Sequence, residues 1–373
     1  MRILLVNNVC GLGGVEVHMA GLASGLVRSG HRVEAYFYDG GNGHSLFDDV
    51  CRITVGPYPS LGEILTKTDF DLVHATTATI PCGLFATMDR VGYGGAVVVT
   101  CHAGVVRGHV SNRKNVAFTA VSSQAKNDLR DVLGVEACVL PNGVDCQTFS
   151  PDGDADSVES PVLLWVGRSY HEEKDFVGFC AVASVLVQKG WNAWVVDASP
   201  DTHNNTLCSW LGTRCRVMKG LGQSDLARLY RSVARSGGCL LSTSVSETFG
   251  LVIAEAMACG CPVVAPRVGG IPDIVSDGVT GLTYERSGGV EAVLQRIEAI
   301  RDRPTRIALA ENAACEIRRR FDINRMVADY CALYAQVASP ERGATFSCRR
   351  YASSVYFAAR RAFHSARYRA TAR

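Results

Sequence analysis

Short apolar segments alternate with helix-like segments along most of this chain, and the alternation is interrupted only once. The first apolar segment, residues 2–6 (RILLV), precedes a Gly-rich turn and a helix predicted for residues 15–29. Continuous apolar runs of this length are typical of parallel strands that are buried on both faces, because crossover helices cover both sides of the sheet. The pattern therefore predicts an α/β protein built on doubly wound parallel sheets.

The interruption is a polar, acidic stretch at residues 151–161, which we interpret as a linker. Alternation on both sides of it predicts two Rossmann-like domains, residues 1–155 and residues 156–338, and the last helix either stays in the second domain or crosses back to the first. A length of 373 residues fits two domains. Such domains bind ligands at the carboxyl ends of their strands, so we expect the site in the cleft that the two domains face.

Residues 339–373 form a basic tail. Residues 340–373 contain eight Arg and one Glu. The net charge of the whole chain is nevertheless only +2, and because this charge is so small, no nucleic-acid partner is expected. On a helical wheel the arginines lie opposite an apolar face, a pattern that suits an anionic membrane surface. A frayed terminus and a helix packed on the body remain open alternatives.

The localisation follows from what the sequence contains. No apolar run approaches the length of a membrane span, and the apolar run at the start is too short for a secretory signal. The fifteen cysteines include no CxxC pair, so we expect reduced thiols in a cytoplasmic protein, with the tail as a candidate peripheral attachment to the inner face of the membrane.

The segment SVSETFGLVIAEAMACGCPVV contains the candidate ligand-binding residues. It places Glu247 in the turn after a strand that ends near Ser242, and Glu255 within the helix that starts near Phe249. Free backbone N–H groups at a helix N-terminus bind phosphate, and carboxylates beside them accept hydrogen bonds from sugar hydroxyls. The alternative is a helix-start acid and a solvated helix residue, which the surrounding small and apolar positions disfavour.

SETFGLVIAEAMACGCPVVAP resembles the E-x7-E element of glycosyltransferase family 4, whose members are retaining enzymes with the GT-B fold. Four other segments resemble this family in the same order: GLGGVEVHMAGLASGLVRSGH, LPNGVDCQTFSP, VGRSYHEEKD and VGGIPDIVSDGVTGLTY. The resemblance covers roughly residues 1–338. It implies a hexosyltransferase that uses a nucleotide-activated sugar.

The resemblance also implies roles for single residues. Arg168 and Lys174 bind the diphosphate of the donor, to which Arg offers a planar fork and Lys a point charge. Glu247 faces the hydroxyls of the donor sugar, and His102, at the end of an apolar strand, lies near the reacting sugar. For His102 the alternative is a structural strand-end histidine, and for Arg168 it is a surface ion pair. Substrate-binding roles fall to the backbone or side chains of Gly13, Gly14, Phe249, Gly250, Leu251 and Glu255.

The expected reaction is retention of configuration by same-face attack, without a protein nucleophile. No metal and no cofactor are expected, because Arg168, Lys174 and the helix end supply the positive charge. The chain departs from the family pattern at Asp175, where Gly is common, and in WVVDASP, which lacks the usual Gly-x-Gly-Pro turn, so the nucleotide-base pocket differs.

We therefore expect a UDP-, GDP- or ADP-linked sugar donor and a glycan, lipid-linked or small-molecule acceptor, in polysaccharide or cell-envelope glycan synthesis. The acceptor is expected near residues 39–60 and 101–115. Alternatives are a nucleotide-sugar epimerase or a phosphorylase of the same fold, and a sugar-binding or interaction protein that has lost catalysis.

Overall fold

The computed structural model describes residues 1–76, 82–102, 115–199 and 212–339. It divides into two compact units. The first contains Met1–Pro141 and the chain from Val327 onward, and the second contains Asn142–Met326.

The first unit is built on a seven-stranded sheet in which every neighbouring pair is parallel. The strand order is β3-β2-β1-β4-β5-β6-β7, so the order reverses between β1 and β4. The strands are β1 (Arg2–Val9), β2 (Arg32–Asp39), β3 (Arg52–Val55), β4 (Leu72–Ala75), β5 (Ala96–Cys101), β6 (Val116–Ala120) and β7 (Ala137–Val139). The helices between them are α1 (Gly14–Arg28), α2 (Tyr58–Lys67), α3 (Cys82–Arg90) and α4 (Ser123–Leu133).

The second unit contains a six-stranded sheet, also parallel throughout, with the order β10-β9-β8-β11-β12-β13. Its strands are β8 (Val162–Gly167), β9 (Asn192–Asp197), β10 (Cys215–Met218), β11 (Cys239–Leu241), β12 (Val263–Pro266) and β13 (Leu282–Tyr284). Its helices are α5 (Phe176–Gln188), α6 (Gln223–Ser236), α7 (Leu251–Ala258), α8 (Ile271–Ile274), α9 (Gly289–Arg301) and α10 (Arg303–Arg320). Two doubly wound α/β units match the fold class that the sequence predicts.

The last described helix, α11 (Ile323–Val337), contributes to the core of the first unit. The hydroxyl of Tyr334 lies 2.6 Å from Nδ1 of His74 on β4, and the hydroxyl of Tyr330 lies 3.1 Å from Oγ1 of Thr100 on β5. All four residues are buried, so these bonds satisfy polar groups that would be costly if left unpaired.

Central strands follow the apolar pattern, whereas two of the four edge strands, β3 and β10, do not. The residues of β1 from Ile3 to Val6 are at most 1% exposed, and so is most of β5. In contrast, the edge strands β3 and β10 contain only exposed or half-buried residues. Neither β3 nor β10 was predicted from the sequence, because our criterion was a continuous apolar run.

The stretch at residues 151–161, interpreted from the sequence as a linker, lies within the residue range of the second unit. It has no regular secondary structure and is hydrogen-bonded to α6. Nε of Arg231 donates to the carbonyl of Asp154 at 2.8 Å, and the backbone N–H of Asp156 donates to Oγ of Ser232 at 2.7 Å. The described units therefore meet in sequence at residues 141 and 142 rather than inside this stretch.

Candidate functional site

The strand order of the second unit reverses between β8 and β11. In open α/β sheets a ligand binds beyond the carboxyl ends of the two strands where the order reverses. The loop after β8 carries Arg168 and Lys174, and the loop after β11 carries Glu247. The residues that the sequence selects for donor binding thus lie on the two loops that flank this reversal.

Lys174 and Glu247 are in direct contact although 73 positions separate them in the chain. Nζ of Lys174 lies 2.6 Å from Oε2 of Glu247, and the two side chains are 25% and 15% exposed. A partly buried ammonium–carboxylate pair at this distance is a strong, charge-assisted hydrogen bond. It leaves one carboxylate oxygen of Glu247 and two ammonium protons of Lys174 for other partners.

The backbone holds Glu247 in place from the opposite side. Its carbonyl oxygen accepts a hydrogen bond of 2.8 Å from the N–H of Gly270. Gly269 has a φ of 54°, and a Cβ there would lie 2.0 Å from the same carbonyl oxygen. Only glycine fits this close approach, so the Gly-Gly pair after β12 fixes the turn that carries Glu247.

The N-terminus of α7 is uncapped. Gly250, with a φ of 98°, occupies the N-cap position without a side-chain cap, and the first turn contains no acidic residue. Phe249, which precedes it, is buried and packs against Phe321 with ring centroids 5.7 Å apart. No side chain of the cap or of the first turn therefore neutralises the positive end of α7. Its first N–H groups, including that of Leu251, are suited to binding phosphate.

Glu255 lies one turn further along α7 and is only 6% exposed. Burial raises its pKa to about 8. Tyr230, which is also buried, has no hydrogen-bond partner for its hydroxyl among the described residues. Its pKa is raised by burial and by the charge of Glu255. Because its own pKa is about 8, Glu255 is a neutral acid at neutral pH. Its carbonyl oxygen can still accept a hydrogen bond from a ligand hydroxyl.

Arg168 is exposed, and its guanidinium makes no hydrogen bond or ion pair with any residue that the structure describes. The next residue is anchored, because the backbone N–H and the hydroxyl of Ser169 donate to the carboxylate of Asp197 at 3.1 and 2.8 Å. Burial alone would raise the pKa of Asp197, but hydrogen bonds from Ser199 and Ser169 outweigh it and the pKa is lowered. This cluster joins the loop after β8 to the carboxyl end of β9.

In the first unit, Gly13 and Gly14 lie where β1 leads into α1. The carboxylate of Glu16 accepts from the N–H of Gly13 at 2.9 Å and from Nδ2 of Asn7 at 3.0 Å. A Cβ on Gly13 would lie 2.6 Å from that carboxylate, whereas nothing lies within 4 Å of a Cβ on Gly14. Gly14 thus offers an open backbone surface, and Glu16 is what shapes the turn.

His102 directly follows β5 and is buried. Its ring meets that of His18 edge-on at 4.5 Å. Burial, with the neighbouring His18 and His74, lowers the pKa of His102 well below its usual range, so its imidazole is neutral. Both ring nitrogens of His74 have hydrogen-bond partners, whereas those of His18 and Nε2 of His102 have none among the described residues.

Some residues of the site were not identified from the sequence. Arg286 pairs with Asp175 across 111 positions, and the hydroxyl of Thr243 bonds the carbonyls of Lys174 and Asp175. No local pattern signals such long-range contacts. Glu16 had a signal, since a Glu three positions after a helix N-cap is typical of a capping box.

Several expectations fall outside the described residues. These are most of the segment 101–115 expected near the acceptor, Pro200 after the WVVDAS strand, and the tail from residue 340. Within the described ranges, no group of three or more His, Cys, Asp or Glu could hold a metal ion. No helix in those ranges combines the length and apolar character needed to cross a bilayer.

Comparison with protein families gives two matches that follow one another along the chain. Residues 12–148 match the family model described as "Glycosyltransferase Family 4". Residues 160–302 match the model described as "Glycosyl transferases group 1". Each match falls on one of the two α/β halves.

The relatives of this chain include a mannosyltransferase and a synthase. The phosphatidyl-myo-inositol mannosyltransferase of Mycobacterium tuberculosis is 25% identical over 372 residues, covering 87% of this chain and 94% of the relative. The N-acetyl-alpha-D-glucosaminyl L-malate synthase of Bacillus anthracis is 31% identical over 133 residues, and the match spans 36% of this chain and only 32% of that relative.

Solved structures share the fold over most of the chain. A glycosyltransferase from Rickettsia africae superposes with a TM-score of 0.77 at 20% identity, covering 91% of this chain and 99% of that chain. HepE of Anabaena, in a complex with UDP, gives a TM-score of 0.75 at 18% identity, covering 90% and 100%. The chain therefore belongs to glycosyltransferase family 4, and it is a transferase with the GT-B fold.

Proposed function

We propose that this protein is a retaining hexosyltransferase that moves a sugar from a nucleotide-sugar donor to a glycan, lipid-linked or small-molecule acceptor. The observation that carries the proposal is the contact between Lys174 and Glu247, 2.6 Å apart on the two loops at the strand reversal. The uncapped N-terminus of α7 begins four residues after Glu247. A cation, a carboxylate and free amides together suit a sugar joined to a diphosphate.

The proposed donor site neutralises the leaving diphosphate. Arg168 has a guanidinium free of partners within the described residues, Lys174 supplies an ammonium group, and α7 supplies the amides of Gly250 and Leu251. Charge that develops on a leaving group is stabilised most effectively by such groups when they are already in position. The proposal therefore assigns no metal, and turnover is expected to persist in EDTA.

The two acids of the E-x7-E element take different parts in the proposal. Glu247 is paired with Lys174 and accepts from hydroxyls of the donor sugar. Glu255 is buried and neutral, and its carbonyl oxygen accepts from a ribose hydroxyl. His102, Gly13 and Gly14 belong to the first unit, and we propose that they contact the donor sugar, the donor phosphate or the acceptor.

The proposed reaction is balanced without a protein nucleophile. The bond between the anomeric carbon and the diphosphate oxygen breaks, and that oxygen keeps the electron pair. The acceptor hydroxyl forms its bond to the anomeric carbon on the same face. Its proton passes to the leaving phosphate, so the configuration at the anomeric carbon is retained.

The relatives support the substrate classes. The mycobacterial relative is named for the mannosylation of phosphatidyl-myo-inositol, which is a lipid-linked polyol. The Anabaena protein HepE was crystallised with UDP and glucose, and its structure aligns with 90% of this chain. A nucleotide-sugar donor and a hydroxyl-bearing acceptor are therefore the substrates to test first.

The test is donor hydrolysis and transfer by purified wild-type protein against UDP-, GDP- and ADP-sugars. Glu247→Ala is expected to lower turnover by at least about 100-fold, because it removes a group that is positioned for the transition state. Glu311→Ala, which removes an exposed acid on α10, is the matched control and should retain wild-type turnover. NMR of the product reports whether the anomeric configuration is retained.

Other outcomes would contradict the proposal. A product with inverted configuration at the anomeric carbon would refute the proposed mechanism. Equal turnover by wild type and Glu247→Ala would also refute it. Conversion of the donor to its epimer without an acceptor would identify an epimerase, and nucleotide-sugar binding without any product would identify a binding protein.

A further inference from the structure

The loop that carries Lys174 ends in a backbone conformation that most residues avoid. Asp175 has a φ of 44°, in the left-handed region, and among the described residues only Asp49 shares such a value without being glycine. A residue with a Cβ is strained there unless its surroundings stabilise it. The position of Lys174 therefore depends on what holds Asp175.

The carboxylate of Asp175 is held at both oxygens. Oδ1 accepts from the N–H of Gly178 at 3.0 Å and so caps α5. Oδ2 pairs with Nη2 of Arg286 at 2.9 Å, with the two side chains 28% and 32% exposed. A Cβ on Gly178 would lie 2.7 Å from Oδ2, so glycine is needed there to leave room for the carboxylate.

Arg286 also reaches the other loop of the site. Its Nη1 donates to the carbonyl of Thr243 and, at 3.4 Å, to that of Ser244. These carbonyls lie just after β11, on the loop that leads to Glu247. One guanidinium thus binds the carboxylate that ends the Lys174 loop and the backbone that begins the Glu247 loop.

Three further hydrogen bonds join the same loops. The hydroxyl of Thr243 donates to the carbonyls of Lys174 and Asp175, at 2.9 and 2.8 Å. The N–H of Val245 donates to the carbonyl of Glu173 at 2.8 Å. The segment before Glu247 is therefore tied to the segment around Lys174, and Arg286 is the charged member of that connection.

We infer that Arg286 is a positioning residue for the Lys174–Glu247 pair, acting together with Asp175 and Gly178. It holds the two loops at the separation that brings Nζ of Lys174 and Oε2 of Glu247 to 2.6 Å. Arg is suited to this task because its planar fork can serve a carboxylate and a carbonyl at once, which the single ammonium group of Lys cannot do. The inference deepens the proposed function and rests on it for its effect on turnover.

The kinetic test compares Arg286→Ala and Arg286→Lys with wild type. Because displacement of a reacting group by about 1 Å costs on the order of 100-fold, we expect kcat to fall by about 10- to 100-fold in both variants while donor KM changes less. Arg301→Ala is the matched control, since Arg301 pairs with the exposed Glu298 on the same helix, and it should retain wild-type kcat. Wild-type kcat in Arg286→Ala would overturn the inference.

A double-mutant cycle separates positioning from general stability. If Arg286 acts through the Lys174–Glu247 pair, Arg286→Ala should cause a much smaller loss of kcat in a Lys174→Met background than in the wild type. A full additional loss in that background would mean that Arg286 acts elsewhere, and the inference would be wrong.

A second cycle needs no activity. Gly178→Ala should lower the thermal midpoint of the wild type by several degrees, because its Cβ meets the Asp175 carboxylate. It should have little effect in Asp175→Gly. Equal effects in both backgrounds contradict the proposed set of three residues.

The failure of the proposed function is distinguishable from the failure of this inference. If the wild type turns over no nucleotide-sugar, the proposed function fails, and crystal structures of wild type and Arg286→Lys still decide the inference. We expect the contact between Lys174 and Glu247 in the wild type and its loss in the variant. An unchanged distance in Arg286→Lys would refute the positioning role.

Discussion

The protonation of Glu255 makes a measurable prediction about stability. Burial raises its pKa from the ordinary 4.5 to about 8. The folded protein therefore keeps this proton up to about pH 8, whereas the unfolded chain releases it near pH 4.5. Because the native state binds more protons between these values, the contribution of Glu255 to stability is present at low pH and is lost as the pH rises.

The magnitude follows from the width of that window. Each pH unit inside it changes the free energy of unfolding by about 1.4 kcal/mol, so raising the pH from 5.5 to 7.5 should remove about 2.5 kcal/mol. Glu255→Gln keeps the shape of the neutral acid but cannot ionise, so it should lack this loss. The difference between the two proteins isolates Glu255 from every other titrating group.

The assay is urea unfolding of wild type and Glu255→Gln at pH 5.5, 6.5 and 7.5. Wild type should lose stability relative to the variant in nearly equal steps across the three values. Parallel stabilities at all three pH values would refute the reasoning, because they would mean that Glu255 is already ionised in the folded protein. A nucleotide that binds more tightly to the ionised form of Glu255 should reduce the difference in the free energy of unfolding between wild type and Glu255→Gln.

Three further predictions concern other parts of the chain. Burial lowers the pKa of His18 to about 3, so the free energy of unfolding should decrease as the pH falls below 6.5. His18→Asn should reduce this decrease, as measured by urea unfolding at several pH values. The same dependence of stability on pH in wild type and variant would contradict the prediction. Gly250→Ala should cost about 1–2 kcal/mol of unfolding free energy because of its φ of 98°, whereas Gly94→Ala, where a Cβ meets nothing within 4 Å, should cost less. Removal of residues 340–373 should lower co-sedimentation with anionic vesicles but not sugar transfer to a soluble acceptor; unchanged sedimentation would reject the membrane role.

The central part of the fold could be predicted from the sequence because its strands are buried on both faces. The runs RILLV and VLLWVG are such strands, and the structure has β1 and β8 there. The edge strands β3 and β10 have solvent on one side, so their residues carry no continuous apolar signal. A pattern of burial predicts only those elements whose neighbours bury them.

The same limit applies to the site. Glu247 and Lys174 were selected through a resemblance, and the structure places them in contact. Arg286 carries no local signal, because its partner Asp175 lies 111 positions away and the pairing depends on how β8 and β13 lie in the sheet. Long-range pairs of single charged residues become visible only when the topology is known.

The partnership of α11 with β4 has a consequence for biosynthesis. Both ring nitrogens of His74 are satisfied only when Tyr334 and the hydroxyl of Thr100 are present, and Tyr334 is 260 positions further along the chain. The amino-terminal half of the chain emerges from the ribosome before this tyrosine has been translated. The core of the first unit therefore stays incomplete until residue 334 has been translated and α11 can pack against β4.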